Sequence, residues 1–358
     1  MNKSIKIGKK IISEDSPVYI IAEMSGNHNQ SFDRAKKIID AVKKTGADAV
    51  KLQTYTPDTI TIDCDKPAFR TGGLWEKEKT LYSLYQKAYT PWEWQEELKN
   101  YAESIGLDCF SSPFDLTAVD FMSKIGMPAI KIASYEINDI PLIRKSAGTG
   151  KPVIISTGIA RLEDIERAII TCKEENNENV ILLKCTSAYP SPYEDMNIKL
   201  IPNMKETFEC LVGLSDHSAG SEVALGAVAL GAKVIEKHIT IKRSDGGVDS
   251  EFSMETEEFA KMVSQIRNLE KALGRATYTL TKKQEEGRLG SRSLYIVADV
   301  KKGEIFTDKN LRSIRPGDGL HTMYYEQILG KTAAADYEKG TPLSWDMIGF
   351  TDLQEVKK

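Results

Sequence analysis

Eight short runs of nearly unbroken apolar residues punctuate the chain, at 18–22, 49–53, 107–111, 129–133, 152–156, 180–184, 211–215 and 233–238. After each comes a stretch whose apolar residues recur at helical spacing. Strands that are apolar on both faces belong to a parallel sheet covered on both sides, and the intervening helices supply the cover. Eight such units predict an α/β fold closed as a (β/α)8 TIM barrel. An open doubly wound sheet is the alternative, but the first run is not followed by the GxGxxG phrase that would favour it. The closing helix is expected at 257–273, and the barrel domain at residues 1–280.

Beyond the eighth unit the pattern changes. Residues 281–292 (TKKQEEGRLGSR) read as a charged linker punctuated by glycine. Residues 293–352, with short β runs broken by RPGDG and EKGTPLSW, read as a separate small β-rich domain. It is too small for a catalytic core and better suited to capping or recognition. A second irregularity lies inside the barrel, where residues 54–94 are too many for a simple loop and rich in Tyr and Trp. Long insertions at a barrel mouth are usually functional, so part of this one is expected to be a lid over a substrate. Its Leu81, Tyr82, Leu84 and Tyr85 stripe is expected to pack on the barrel wall.

Composition narrows the function classes. With 41% hydrophobic and 28% charged residues the chain is an ordinary globular protein, and its net charge of −4 comes from interspersed charges. No basic groove for nucleic acid and no polybasic membrane patch is present. No apolar stretch would span a bilayer, and the first apolar run is too short for a signal peptide. The five cysteines are odd in number and never in CxxC spacing, which points to reduced thiols in a cytoplasmic protein.

The strand ends carry the chemistry. His217 and His238, two of only four histidines, lie 21 residues apart, about one βα repeat, so both should emerge at the carboxyl ends of neighbouring strands. They suggest a divalent metal site with Asp216 and Glu236 as acidic helpers, against the plainer alternative of hydrogen-bonded core histidines. Other strand ends offer Glu23, Lys51, Gln53, Ser111, Ser112, Lys131, Ser134, Glu136, Ser156, Thr157, Lys184, Thr186, Ser187 and Ser215. A lysine inside an apolar strand needs a partner. Lys51 and Lys131 therefore either pair with Glu23 or Glu136 in a buried network or neutralise an anion bearing phosphate and carboxylate.

The phrases AEMSGNHN, KLQTYTPDT, FSSPFD, KIASYEI, STGIA, KCTSAYPSP, GLSDHSAG, EKHIT and GGVDSEFS, followed by RPGDGL, run through nearly the whole chain in order. Together they resemble the sialic acid synthase family. The resemblance implies a TIM barrel followed by a small antifreeze-like (SAF) domain, and a condensation of phosphoenolpyruvate with an amino sugar. KLQTYTPDT, CFSSPFD and the aromatic insertion resemble the pseudaminic acid synthase branch. That implies 2,4-diacetamido-2,4,6-trideoxy-β-L-altropyranose as acceptor; N-acetylneuraminate or legionaminate synthesis is the alternative. Tyr55, Trp75 and Tyr89 are expected at the mouth, where aromatic faces would suit methyl and acetamido groups. A metal-dependent aldolase or hydrolase would not need so many anion-binding strand ends. A non-enzymatic carbohydrate-binding protein would not need the polar barrel mouth.

Residue by residue, the resemblance implies that His217 and His238 hold Mn2+ or Mg2+. It places Lys51, Ser112, Lys131, Ser134, Ser156, Ser187 and Ser215 on phosphoenolpyruvate, with Ser187 standing where the sialate branch has Asn and Ser112 where it has Thr. Glu23 and Glu136 are implied near the reacting carbons, with Glu23 as first choice for the proton work, and Asp249 and Tyr189 on the sugar side. Arg315 matches an arginine that one subunit's small domain inserts into its partner's barrel, implying a domain-swapped homodimer.

Overall fold

The computed structural model describes residues 1–349. Residues 350–352, counted with the small domain above, lie outside the described residues. The chain divides into two compact units, the first Met1–Gly274 and the second beginning at Arg275.

In the first unit eight parallel strands are connected in chain order: β1 (Tyr19–Glu23), β2 (Ala49–Thr54), β3 (Asp108–Pro113), β4 (Ile130–Ile132), β5 (Val153–Ser156), β6 (Val180–Cys185), β7 (Leu211–Asp216) and β8 (Val234–Thr240). β8 pairs with both β7 and β1, so the sheet closes into the expected TIM barrel. Each strand falls within two residues of its apolar run. The cover is α1 (Phe32–Thr45), α2 (Trp92–Ser104), α3 (Leu116–Lys124), α4 (Ile140–Gly148), α5 (Leu162–Glu174), α6 (Leu200–Phe208), α7 (Glu222–Ala229) and α8 (Thr256–Leu273). Local chemistry sets their ends. Ser31 accepts the Arg34 amide at the start of α1, and Asp115 accepts the Thr117 and Ala118 amides at the start of α3. Gly46, at φ +82°, stops α1 in the left-handed conformation that glycine adopts without steric cost.

An antiparallel hairpin, Ser4–Ile7 with Lys10–Ser13, was not anticipated. It buries Ile5, Ile7 and Ile12 and plugs the amino-terminal end of the barrel. Lys10 pairs with Asp48, just before β2, at 2.6 Å. The turn glycine, Gly8, lies so close to Asp108 that a Cβ would meet its carboxylate at 2.1 Å. With that end shut, the solvated end is the carboxyl one.

The insertion after β2 folds into a short helix (Pro57–Ile60), two 3-10 turns (Pro67–Phe69 and Gly73–Glu78) and a two-turn helix (Leu81–Ala88). The second unit carries a helix (Lys282–Arg288) where a plain linker was expected, then small antiparallel pairs, Ser293–Ile296 with Leu311–Ile314 and Thr332–Ala333 with Ile348–Gly349. Its own core is built on Leu294, Ile296, Phe306, Leu311, Ile328 and Leu343. Among the described residues no helix is long and apolar enough to cross a membrane.

Candidate active site

The period-2 alternation of each strand decides which polar side chains enter the barrel. On β8, Glu236 and His238 face inward while Lys237, between them, turns to the helical layer. The inward set converges on a cavity of about 510 Å3 at the carboxyl mouth.

Its floor is ionic. Lys51 lies 2.6 Å from Glu23 and 3.7 Å from Glu236, and it donates to Ser112 Oγ at 3.1 Å. Lys131 donates to Ser156 Oγ at 2.6 Å and to the Ile132 carbonyl at 3.0 Å, and lies 3.8 Å from Glu236. Ser215 reaches Glu236 at 3.4 Å. Burial pushes Glu23 up to about 7, with Glu236 adding to the rise and Lys51 opposing it. Burial also opposes ionisation of Glu236, but Lys131, Lys51 and His217 together outweigh it and hold that carboxyl below its ordinary range. Two lysines thus share one carboxylate held in its ionised form, Glu236, and one that is only partly ionised near neutrality, Glu23, which leaves room for an anion.

Beside Lys131 the backbone forms a cradle. The Gly158 amide donates to Ser134 Oγ at 3.0 Å, and a Cβ on Gly158 would fall 2.1 Å from Ser187 Oγ and 2.7 Å from Ser134 Oγ. Ser187 Oγ is buried without a hydrogen-bond partner.

Above the floor the His217 and His238 rings lie 5.3 Å apart. His217 Nδ1 donates to the Thr186 carbonyl at 3.0 Å, so that in the neutral ring the lone pair is on Nε2. His238 Nδ1 is buried without a partner, and burial, with His217 next, holds this imidazole well below its ordinary pKa. Among the described residues no group of three or more His, Cys, Asp or Glu side chains could hold a metal ion. Phe252 packs against His238 and Tyr189, 5.0 Å from each ring, and Tyr189 lies 4.4 Å from His217. Farther up stand Glu136, pushed up to about 7 by burial, and Asp249, raised by burial and hydrogen-bonded by Ser25.

Several expectations change. Asp216 is no helper of the histidine pair; it faces away from the cavity, accepts from Lys237 at 2.8 Å and from the Ser218 amide at 2.9 Å, and is fully buried. Glu236 serves the lysine floor. Lys51 does pair with Glu23, whereas the ion-pair partner of Lys131 is Glu236 rather than Glu136. Leu81, Leu84, Tyr85 and Ala88 line the cavity instead of the barrel wall, together with Tyr55, Ile60 and Phe114. Trp75 lines it too, but Tyr89 does not. Lys184 stays out, donating to Thr186 Oγ1 at 3.0 Å. Ser112 stands behind Lys51, and Arg315 belongs to the second unit. Ser25, Gly158, Cys185 (3.8 Å from His217 Nδ1) and Phe252 were missed. All four stand in phrases that carry the resemblance, AEMSGNHN, STGIA, KCTSAYPSP and GGVDSEFS, but nothing local marks those side chains.

Residues 38–278 match the NeuB family and residues 291–349 the SAF domain. The chain is 48% identical over 330 residues to the pseudaminic acid synthase of Campylobacter jejuni subsp. jejuni, covering 92% of this chain and 96% of that protein. It is 44% identical over 334 residues to the pseudaminic acid synthase of Helicobacter pylori, covering 93% and 98%. The crystal structure of N-acetylneuraminic acid synthetase from Leptospira borgpetersenii serovar Hardjo-bovis superposes with a TM-score of 0.72 at 33% identity, covering 80% of this chain and 95% of that one. With two thirds of its length inside the family match and the relatives aligned almost end to end, the chain belongs to the NeuB family.

Proposed function

We propose that this chain condenses phosphoenolpyruvate with 2,4-diacetamido-2,4,6-trideoxy-β-L-altropyranose, in its open-chain form, to give pseudaminic acid and phosphate. The supporting observation is one cavity that joins a lysine and serine floor to a histidine pair beneath an apolar, aromatic upper wall. The relatives named pseudaminic acid synthase support the same choice of sugar.

Lys51 and Lys131 would neutralise the phosphate and carboxylate, while Ser134, Ser156 and Ser215, which line the cavity, offer hydroxyls to orient them; Ser187, expected among them, is outside that lining. Ser112 holds Lys51 in place. His217 and His238 fit a divalent cation, Mn2+ or Mg2+, because each keeps a ring nitrogen free of protein partners; once bound, the cation would polarise the sugar's aldehyde. The enol carbon C3 of phosphoenolpyruvate adds to the aldehyde carbon, and the aldehyde oxygen takes up a proton that is balanced by the one water then gives up. Water adds at C2 and gives its proton to Glu23, whose pKa near neutrality suits that exchange. Cleavage of the bond between C2 and the phosphate oxygen then expels phosphate, which carries off the C2 hydroxyl proton, and leaves the 2-keto acid. Glu136, on the sugar side, is the second choice for the proton work. Asp249 and Tyr189 flank the sugar, and the apolar wall of Tyr55, Leu81, Leu84 and Phe114 suits its methyl and acetamido groups.

By the family resemblance Arg315 would enter a partner's barrel in a domain-swapped homodimer. Mixing Arg315→Ala with Lys51→Ala subunits should restore activity that neither has alone. The unpaired cysteines are consistent with a cytoplasmic carbohydrate-biosynthetic enzyme. The test of the reaction is phosphate release from phosphoenolpyruvate with Mn2+ and, in parallel, the altrose derivative, 2,4-diacetamido-2,4,6-trideoxy-D-mannose and N-acetylmannosamine, with the product weighed by mass spectrometry. Turnover of another sugar would overturn the acceptor, and no sugar-dependent phosphate would overturn the reaction.

A further inference from the structure

The residue two places after Glu23 has an unusual backbone. Ser25 is only 2% exposed and sits at φ +49°, in the left-handed region that non-glycine residues enter at a cost. A glycine would adopt this conformation freely. What serine adds is a hydroxyl, and every contact of that hydroxyl lies in the site. It donates to an Asp249 carboxylate oxygen and accepts from Gln53 Nε2 at 3.3 Å. The same Gln53 amide donates to Glu23 Oε1 at 2.9 Å. An unbroken chain therefore runs from Asp249 through Ser25 and Gln53 to the Glu23 carboxyl.

Asp249 belongs to a segment that gathers the rest of the mouth. Gly246 and Gly247 enter it at φ +73° and +134°, backbone that side chains resist. Trp75 Nε1 donates to the Val248 carbonyl at 2.9 Å, tying the insertion to it. Ser253 Oγ donates to the Asp249 carbonyl at 2.6 Å and closes the segment on itself. Phe252, in the same segment, braces His238 and Tyr189.

We propose that Ser25 is a positioning residue, a latch that couples residues 246–253 to the Glu23 carboxyl through Gln53, so that seating the sugar against Asp249 also aligns Glu23. A glycine there would relax the backbone but leave the two carboxylates without the bridge. This reading of Glu23 rests on the reaction proposed above; the latch itself rests on the hydrogen bonds alone.

Two variants separate the hydroxyl from the strain. Ser25→Ala keeps the Cβ and loses the hydroxyl, whereas Ser25→Gly loses both and relaxes the backbone. Both should speed hydrogen exchange at residues 246–253 in the full-length protein, whatever reaction it performs. Unchanged exchange would overturn the latch. Both should also lower kcat by roughly tenfold, the scale of one lost hydrogen bond, with the KM for phosphoenolpyruvate within about twofold of the parent value. In a Gln53→Ala background Ser25→Ala should bring no further loss, because the two act in one chain. Recovery of kcat in Ser25→Gly would assign the effect to strain, and additive losses would break the chain; either result overturns the positioning role. A parent enzyme that releases no phosphate while the exchange result holds would count against the proposed reaction and leave the latch standing.

Discussion

Replacing Lys237 by Met should destabilise the barrel strongly without touching the cavity. The Lys237 ammonium lies 2.8 Å from Asp216, with side-chain exposures of 1% and 0%, and also donates to the Ser218 carbonyl at 2.5 Å. Removing the cation strands a buried carboxylate that keeps only the Ser218 amide and hydroxyl, at 2.9 and 2.7 Å. Breaking a buried pair from one side costs about 3–5 kcal/mol. For a domain of this size that lowers the melting temperature by about 6–10 °C. Combining Lys237→Met with Asp216→Asn removes the stranded charge and should recover part of the loss. Circular dichroism melts of the parent, both single variants and the double variant form a cycle that isolates the pair. The decisive variant is Asp216→Asn. A melt within about 1 °C of the parent, together with a large loss of Mn2+ affinity, would mean that Asp216 serves the metal after all and that the outward placement is wrong.

Glu23→Gln should lower kcat by at least about a hundredfold, while isothermal titration shows phosphoenolpyruvate bound no more weakly, since Lys51 loses a competing anion; equal losses in both would remove Glu23 from the proton work. Glu136→Gln should change stability in a pH-dependent way. Burial raises Glu136 to about 7 in the folded protein, so the fold holds that proton more tightly than the unfolded chain does. Its contribution is greatest below the ordinary carboxyl range and declines as the pH rises towards 7. The variant should therefore gain about 3 kcal/mol over the parent at pH 8 and little at pH 4, and an equal change at both would refute the assignment. His238→Ala should weaken Mn2+ binding more than roughly tenfold by electron paramagnetic resonance and leave phosphoenolpyruvate binding intact. Trp75→Ala should raise the sugar's KM by roughly tenfold and leave that for phosphoenolpyruvate unchanged; a rise in both would place Trp75 outside the sugar side.

Much of the scaffold is visible in local order. A strand covered on both faces must be apolar throughout, and a helix that covers it must repeat near 3.6, so eight runs and their spacers fix the barrel from neighbours in sequence alone. The same spacing carries His217 and His238 to one end, because one βα repeat returns the chain to the same face of the sheet. Lys51 and Lys131 announce themselves because burying an ammonium demands a partner. The partner's identity is different in kind. Glu236 and Glu136 are both carboxylates near strand ends, and only the closed barrel shows that Glu236 lies between the two lysines while Glu136 sits above.

The remaining errors share this origin. Asp216 and His217 are adjacent, and so are Glu236 and Lys237, yet within each pair one side chain enters the cavity and the other meets the helical layer. Alternation says that neighbours part, but which goes inward depends on the stagger of closed strands, a relation among eight segments. The Leu81–Ala88 helix displays an apolar face in its sequence; whether that face meets the barrel wall or the cavity is set by where the insertion folds back. Ser25 stands in the AEMSGNHN phrase but nothing local singles it out, since its meaning comes from Asp249, distant in the chain and brought close by barrel closure. Strands, helices and the chemical groups at the carboxyl ends can be read from the chain, because they follow from periodicity and the cost of burying charge. The tertiary structure alone decided which of those groups face one another, because contact across the barrel depends on closure and register rather than on any neighbour in sequence.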